Sequence, residues 1–330
     1  MPALTIVMTT IYPPSPSILE FSQRSDTTLI ITGDKKTPLG WATDNVDYFA
    51  WDDNRLTAHH SYASTPFNHY SRKNLGYLEA MAAGAEQIFD TDDDNFPLPS
   101  FGFPEMEVHA ETTQPSLGFI NTYRLFTDQH IWPRGLPISQ ILREDSGIKL
   151  DRRDAKVGVW QGLANGDPDV DAIYRLTSNV PCVFRDREPV VLAEGTWSPF
   201  NSQNTLFRKE LFPLLYLPVS VSFRFTDILR SFVAQPIMWR WGFQLGFTTA
   251  TVHQDRNPHD YLDDFQSELP MYSAGDSLNE ALVESQQGTS SILNSLARAY
   301  EALRRLEIVS THEMISLDAW LRDCEKMGYR

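Results

Sequence analysis

The chain opens on a seven-residue run of apolar and β-branched residues, Leu4 to Thr10 (LTIVMTT), broken by Tyr12-Pro13-Pro14. A short run of this kind, ended by prolines, predicts a buried strand. Thr27 to Thr32 (TTLIIT) repeats the pattern and stops at Gly33-Asp34, with a short helix expected between the two over Ser17 to Gln23. From Ser71 to Ala83 the period becomes helical: Leu75, Leu78, Met81 and Ala82 share a face, and Gly84 follows as a stop. A third strand, Gln87 to Phe89, runs into Asp90-Thr91-Asp92-Asp93-Asp94-Asn95. Strand, helix, strand, helix, strand in about 90 residues predicts a parallel α/β sheet.

Beyond it, residues 96–196 are rich in Pro, Asp and Gly, with short strands expected near Phe119 to Tyr123 and Val180 to Arg185. Phe225 to Trp239 reads as an apolar helix, and Gln244 to Val252 as a late strand ending at His253. The last stretch changes character. Ser277 with Glu280, and Ser310 with Glu313, have capping-box spacing, and Ile292, Leu293, Leu296, Tyr300, Leu303 and Leu306 follow helical spacing. The expectation is a domain over residues 1–275 and a helical extension over 276–330. That extension would pack on the domain or on a second copy of the chain, giving a homo-oligomer through the C-terminal helices.

Charge narrows the partners. With 28 Lys and Arg against 43 Asp and Glu, the formal net charge is -15. A general nucleic-acid binder needs a basic footprint, so nucleic acid is excluded as a partner. An acidic protein that binds a diphosphate must concentrate cations locally, through a metal ion or a few Arg and Lys. Cys182 and Cys324 are too few for a disulfide framework and read as free thiols of a reducing compartment. No window carries about 18 consecutive apolar residues, and the start lacks a basic region before an apolar run. A cytoplasmic protein without a membrane span is expected.

Four carboxylates among the five residues Asp90 to Asp94 follow a buried strand, where α/β sheets gather ligands. Such charges repel one another unless a cation sits among them, and hard oxygen donors suit Mg²⁺ or Mn²⁺. The same pattern also fits a solvated acidic turn, or a phosphatase of the haloacid-dehalogenase type. His253, at a strand end, is a candidate third ligand or a structural histidine. Arg72 and Lys73 open a helix whose macrodipole they oppose, which suits an anion held there. In Ile131-Trp132-Pro133-Arg134-Gly135-Leu136-Pro137 an arginine is confined between prolines beside an indole. Phe200-Asn201-Ser202-Gln203-Asn204-Thr205-Leu206 packs amide and hydroxyl side chains, Asn201 and Asn204 among them, that suit sugar hydroxyls or a loop with no function.

Taken together, RKNLGYLEAMAAGAEQIFDTDDDN, IWPRGLPI, QGLANGDPDVDAIYRLT, PFNSQNTLF and LPVSVSFRFTDILRSFVAQPIMW resemble the glycosyltransferase-like domain of the plant STELLO proteins. More distantly they resemble the reversibly glycosylated polypeptides, which include the UDP-arabinopyranose mutases. The resemblance runs from about Leu4 to Pro258 and leaves out the helical tail. It implies a GT-A-type, Rossmann-like mixed sheet flanked by helices, acting on a UDP-sugar with Mn²⁺ or Mg²⁺ and an unidentified acceptor. By the same resemblance Asp92, Asp93 and Asp94 match a DDD motif, with Asp92 and Asp94 on ribose and metal and His253, before Asn257-Pro258, closing the metal shell. Arg72 and Lys73 would lie near base and phosphates, Asp34 near uridine, and Thr9 among the substrate contacts. Arg134 matches the arginine that is glycosylated in the mutases. Arg224 and Asp227 resemble an RYDD segment, and Asp169, Asp171, Asn201, Asn204 and Asp227 would line the sugar and acceptor side. A glycosyltransferase, a pyranose/furanose mutase and a non-catalytic scaffold are the three readings this leaves.

Overall fold

The computed structural model describes residues 4–143, 147–257 and 260–330. Pro258 lies outside them. Among the described residues the strands are β1 Leu4–Thr10, β2 Thr27–Gly33, β3 Asp47–Phe49, β4 Gln87–Thr91, β5 Asn95–Pro97, β6 Glu107–Thr113, β7 Gly118–Phe119, β8 Leu150–Gly166, β9 Val190–Leu192, β10 Thr196–Trp197, β11 Asn204–Arg208 and β12 Gln244–Gln254. The helices are α1 Pro16–Ser22, α2 Asn54–Thr57, α3 Lys73–Ala82, α4 Ile138–Ile141, α5 Ala172–Thr177, α6 Thr226–Arg240, α7 Tyr261–Ser285, α8 Ile292–Arg305 and α9 Thr311–Lys326.

Ten strands form one mixed sheet in the order β3-β2-β1-β4-β11-β8-β6-β9-β12-β5. The first four are parallel, as the sequence predicts. β11 then runs antiparallel to both β4 and β8, and β12 returns parallel to β8. The fold is therefore α/β with a mixed sheet flanked by helices. Successive side chains alternate between two cores. Ile6, Met8, Leu29, Ile31, Phe89 and Leu206 face one side, and Val7, Ile30, Ile88 and Phe207 the other. Helix α3 lies close on β1 because Gly76 faces Val7: a Cβ there would come within 2.8 Å of a Val7 methyl.

Several expectations are corrected. The 17-residue β8, the longest strand, grows out of the stretch read as irregular. Val180 to Arg185 is not a strand, and only an isolated bridge joins Cys182 to Gly166. Of Phe119 to Tyr123, only Phe119 is in a strand, and Thr122–Leu125 is a 3-10 turn. Neither capping box forms. Ser277 sits inside α7, just past a break at Gly275 (φ 57, ψ -161), and its hydroxyl donates to the Ala274 carbonyl. Ser310 precedes α9 without a side-chain cap, because Glu313 reaches the other way. Its carboxylate accepts from Tyr216 Oη at 2.5 Å, Val219 N at 2.9 Å and Ser220 N at 2.8 Å.

Helices α7 to α9 share the larger core with the sheet. Leu278, Leu296, Tyr300, Leu317 and Trp320 lie in one cluster with Tyr216, Leu214 and Ile237. Trp320 donates its indole N–H to the Pro213 carbonyl at 2.9 Å, and Asp323 accepts from His60 N and Ser61 N at 2.9 and 2.8 Å. Both cysteines are buried free thiols. Among the described residues no helix is long and apolar enough to cross a membrane.

Candidate functional site

The strand ends meet at a cleft of about 390 Å³. Thr9 and Thr10 close β1, Asp34 follows β2, Asp92, Asp93 and Asp94 follow β4, and Gln254 ends β12. This is where a sheet with parallel strands gathers ligands.

Strand β4 continues two residues further than predicted, and that splits the acidic run. Asp90 belongs to the strand and is fully buried between two cations, Lys73 at 2.7 Å and Arg230 at 2.8 Å. Lys73, the first residue of α3, also reaches Asp92 at 3.0 Å and donates to the Thr91 carbonyl at 2.6 Å. Burial opposes its charge, but Asp90 and Asp92 outweigh burial and hold its pKa above the ordinary value. Lys73 is thus a buried anchor for the acidic turn and is absent from the cleft lining. Arg72 is absent too: its guanidinium donates to the Trp51 carbonyl at 3.1 Å and lies over the rings of Tyr62 and Phe67.

The other three acids face the cleft. Tyr70 donates its hydroxyl to Asp92 at 2.7 Å, and Thr10 donates to Asp93. Among the described residues Asp94 has no cation within bonding distance. Its two oxygens accept from the Gln254 amide at 3.1 Å each, and one of them also from the Asn95 amide at 3.3 Å. Burial first, then the charges of Asp92 and Asp93, push its pKa up to about 7. The Gln254 carbonyl in turn accepts from the Gln203 amide, and the Gln203 carbonyl accepts from Asp169 N at 3.2 Å. Two glutamines thus connect the acidic turn to the opposite wall.

That wall is built on Arg134. The loop holding it turns at Gly135 (φ +93), where a Cβ would meet Ile228 at 2.5 Å, so the turn and its contact with α6 both require glycine. Trp132 fixes the other side by donating its indole N–H to Asp171 at 2.8 Å. The guanidinium then grips Asp169 at 2.9 and 2.7 Å and Asp227 at 2.9 and 2.8 Å, and also donates to the Arg224 carbonyl. Those five bonds use all five of its N–H donors. Against burial, the two carboxylates hold Arg134 far above its ordinary pKa. Asp169 sits low, at about 2, because Arg134 and then Arg224 outweigh burial.

The remaining sequence candidates divide clearly. Thr9, Asp34, Asp92, Asp93, Asp94, Arg134, Asp169, Arg224 and Asp227 all line the cleft. Asp171, Asn201, Asn204 and His253 do not. Asp171 caps α5 through Tyr174 N at 2.9 Å. Asn204 starts the central strand β11, with its amide on the Leu163 carbonyl at 2.8 Å and on Thr251 at 2.9 Å. Asn201 braces the same loop by accepting from Gln203 N at 2.9 Å. His253 points to Asp255 at 3.0 Å with its side chain 42% exposed. Among the described residues no three His, Cys, Asp or Glu side chains are already arranged to hold a metal.

Sequence reading missed Tyr70, Gln254, Arg256 and Phe223, all of which line the cleft, and Gln203 of the amide-rich stretch lines it too. Arg256 had an available signal: it follows the late strand β12 at the same sheet edge.

Fold and cleft define an α/β protein with a strand-end site, acidic on one wall and arginine-braced on the other. Comparison with known proteins narrows that class. The family model of the STELLO glycosyltransferases matches residues 224–330. The chain is 25% identical over 324 residues to "Probable glycosyltransferase STELLO1" of Arabidopsis thaliana, covering 92% of this chain and 42% of that protein. It is 29% identical over 248 residues to "Probable glycosyltransferase STELLO2" of the same plant, covering 68% and 32%. The chain therefore spans less than half the length of the curated relatives it matches. The similarity to the STELLO family reaches through α8 and α9, which corrects the expectation that it stops before the helical tail. The solved structure of M. tuberculosis glucosyl-3-phosphoglycerate synthase is 11% identical, with a TM-score of 0.35 over 86% of this chain and 79% of that one. At that score it bears on neither fold nor function.

Proposed function

We propose that the chain is a GT-A-type glycosyltransferase that takes its sugar from a UDP-sugar and needs a divalent cation. The observation that carries the reading is Asp94: a half-buried carboxylate beside Asp92 and Asp93 at the strand ends, with only side-chain amides as hydrogen-bond partners among the described residues. A site that holds three acids together and leaves one without a bonded ion-pair partner among the described residues favours a hard cation. The donor set fits Mg²⁺ or Mn²⁺, with Asp94 as first ligand and Asp92 or Asp93 beside it. Asp92 already accepts from Lys73 and Tyr70, which fixes its orientation. A bound cation would supply charge neutralisation on the departing nucleoside diphosphate.

The chain's own residues do the rest. Asp34, buried at the end of β2, faces the cleft where the base and ribose would enter. Asp169 and Asp227 line the cleft and are both held by Arg134. Both are suited to orient the sugar by accepting its hydroxyl donors. Because every Arg134 N–H is engaged, the geometry favours transfer to an acceptor over a mutase reaction on that arginine.

The test is incubation with a panel of UDP-sugars and Mn²⁺, with and without candidate acceptors, followed by mass spectrometry of products and protein. UDP released in proportion to acceptor is the expected result. A rearranged UDP-sugar with no release, or a protein heavier by one glycosyl group, would support the mutase instead.

A further inference from the structure

We propose that Arg256 is the anion-binding residue of the cleft and takes a phosphate group of the nucleoside diphosphate. The proposal rests on the nucleotide-sugar reading above and adds the residue that holds the phosphates from the protein side. Arg256 follows β12, lines the cleft, and keeps only 8% of its side chain exposed. A guanidinium buried that far ordinarily has its donors filled. Here Nε has no hydrogen-bond partner among the described residues, and the carboxylate of Asp264 stands at 3.7 Å.

Its neighbours show the contrast. Arg134 grips two carboxylates, Arg224 bonds Glu268 at 2.9 Å, and Arg175, whose Nε is also unpartnered, is paired with Asp167 through Nη1. Arg256 is the member of this arginine group left with a loose partner. Burial first, then the charges of Arg224 and Arg175, bring its pKa down to about 10. An anion in the cleft would offset both. The position is also right. Arg256 lines the same cleft as Asp94 and Asp169 and acts electrostatically on both. A phosphate there would meet the planar fork of Arg256.

Calorimetry with UDP and with inorganic pyrophosphate, on wild type, Arg256→Gln and Arg256→Lys, tests this. Binding of both probes should weaken about ten- to a hundredfold in Arg256→Gln, the worth of a charge-assisted hydrogen bond, and less in Arg256→Lys. Equal affinity for both probes in wild type and Arg256→Gln overturns the assignment. So does a wild type that binds neither probe. Pyrophosphate binding that depends on Arg256, without any UDP binding, keeps the anion site and discards the nucleotide-sugar reading.

Discussion

Two carboxylate groups face each other across the cleft, and they solve the same physical problem differently. Asp169 and Asp227 share a guanidinium whose five donors are filled. Asp92, Asp93 and Asp94 share hydroxyls, two amides and a single lysine that reaches Asp92. The first group is complete as it stands, so its geometry is part of the fold. The second is left with excess negative charge, so its stability waits on something that binds. Opposite pKa directions express the same contrast: Asp169 goes down to about 2 and Asp94 up to about 7.

The largest effect expected from this contrast is on stability. Arg134→Ala strands two buried carboxylates, and breaking a buried pair in this way costs about 3–5 kcal/mol. Urea unfolding should show it; a loss below about 1 kcal/mol, the range of ordinary substitutions, would mean the cluster is solvated. Arg134→Lys should recover only part, since an ammonium cannot bond two carboxylates bidentately.

Next comes Asp94→Asn. It should weaken the metal-dependent part of UDP binding by about a hundredfold, the upper end of what altering a metal site's surroundings costs. UDP affinity that is the same in EDTA for wild type and variant would remove the metal. In the ligand-free protein the same substitution should be neutral or stabilising, because it removes a like charge.

A smaller effect separates the two walls by pH. The folded pKa of Asp94 lies above its ordinary 3.8, so its contribution to stability is complete below about pH 4 and is lost as pH rises through about 7. For Asp169 the order reverses: its contribution is present above about pH 4 and is lost as pH falls toward 2. Unfolding of Asp94→Asn against wild type should therefore diverge in the variant's favour between pH 4 and 7, and a flat difference would break the comparison. The smallest effect is at His253. It is paired with Asp255 and lies outside the cleft, so His253→Ala should shift stability by no more than about 0.5 kcal/mol and leave Mn²⁺ binding by calorimetry unchanged.

Much of the first layer was legible. Leu4–Thr10 is recovered residue for residue, and the strands and helices at Thr27, Lys73 and Thr226 stand within a few residues of expectation, because period and punctuation agree there. Strand β8 was hidden because its first half is charged and exposed while its second half is buried, so no single period runs through it. At the site, the strand-end acids could be found by position alone. What each charge is spent on could not. Lys73, Asn201 and Asn204 look like ligand contacts in one dimension, and only the fold shows Lys73 beneath Asp90 and the amides bracing β11. The failed box at Ser310 has the same origin: Glu313 was claimed by a loop some ninety residues earlier in the chain.

That last contact sets an order of events for folding. Helix α9 is anchored at three points far back along the chain: Asp323 on the His60 turn, Trp320 on Pro213, and Glu313 on the loop that leads to Arg224 and Asp227. Until α9 has been made, the His60 turn lacks its acceptor and that loop lacks its clamp. A nascent chain would carry the parallel strands of the acidic wall well before it could fasten the arginine-braced one. Contacts of such long range are slow to close, so the cleft is assembled from its two ends and finished from the C-terminal one.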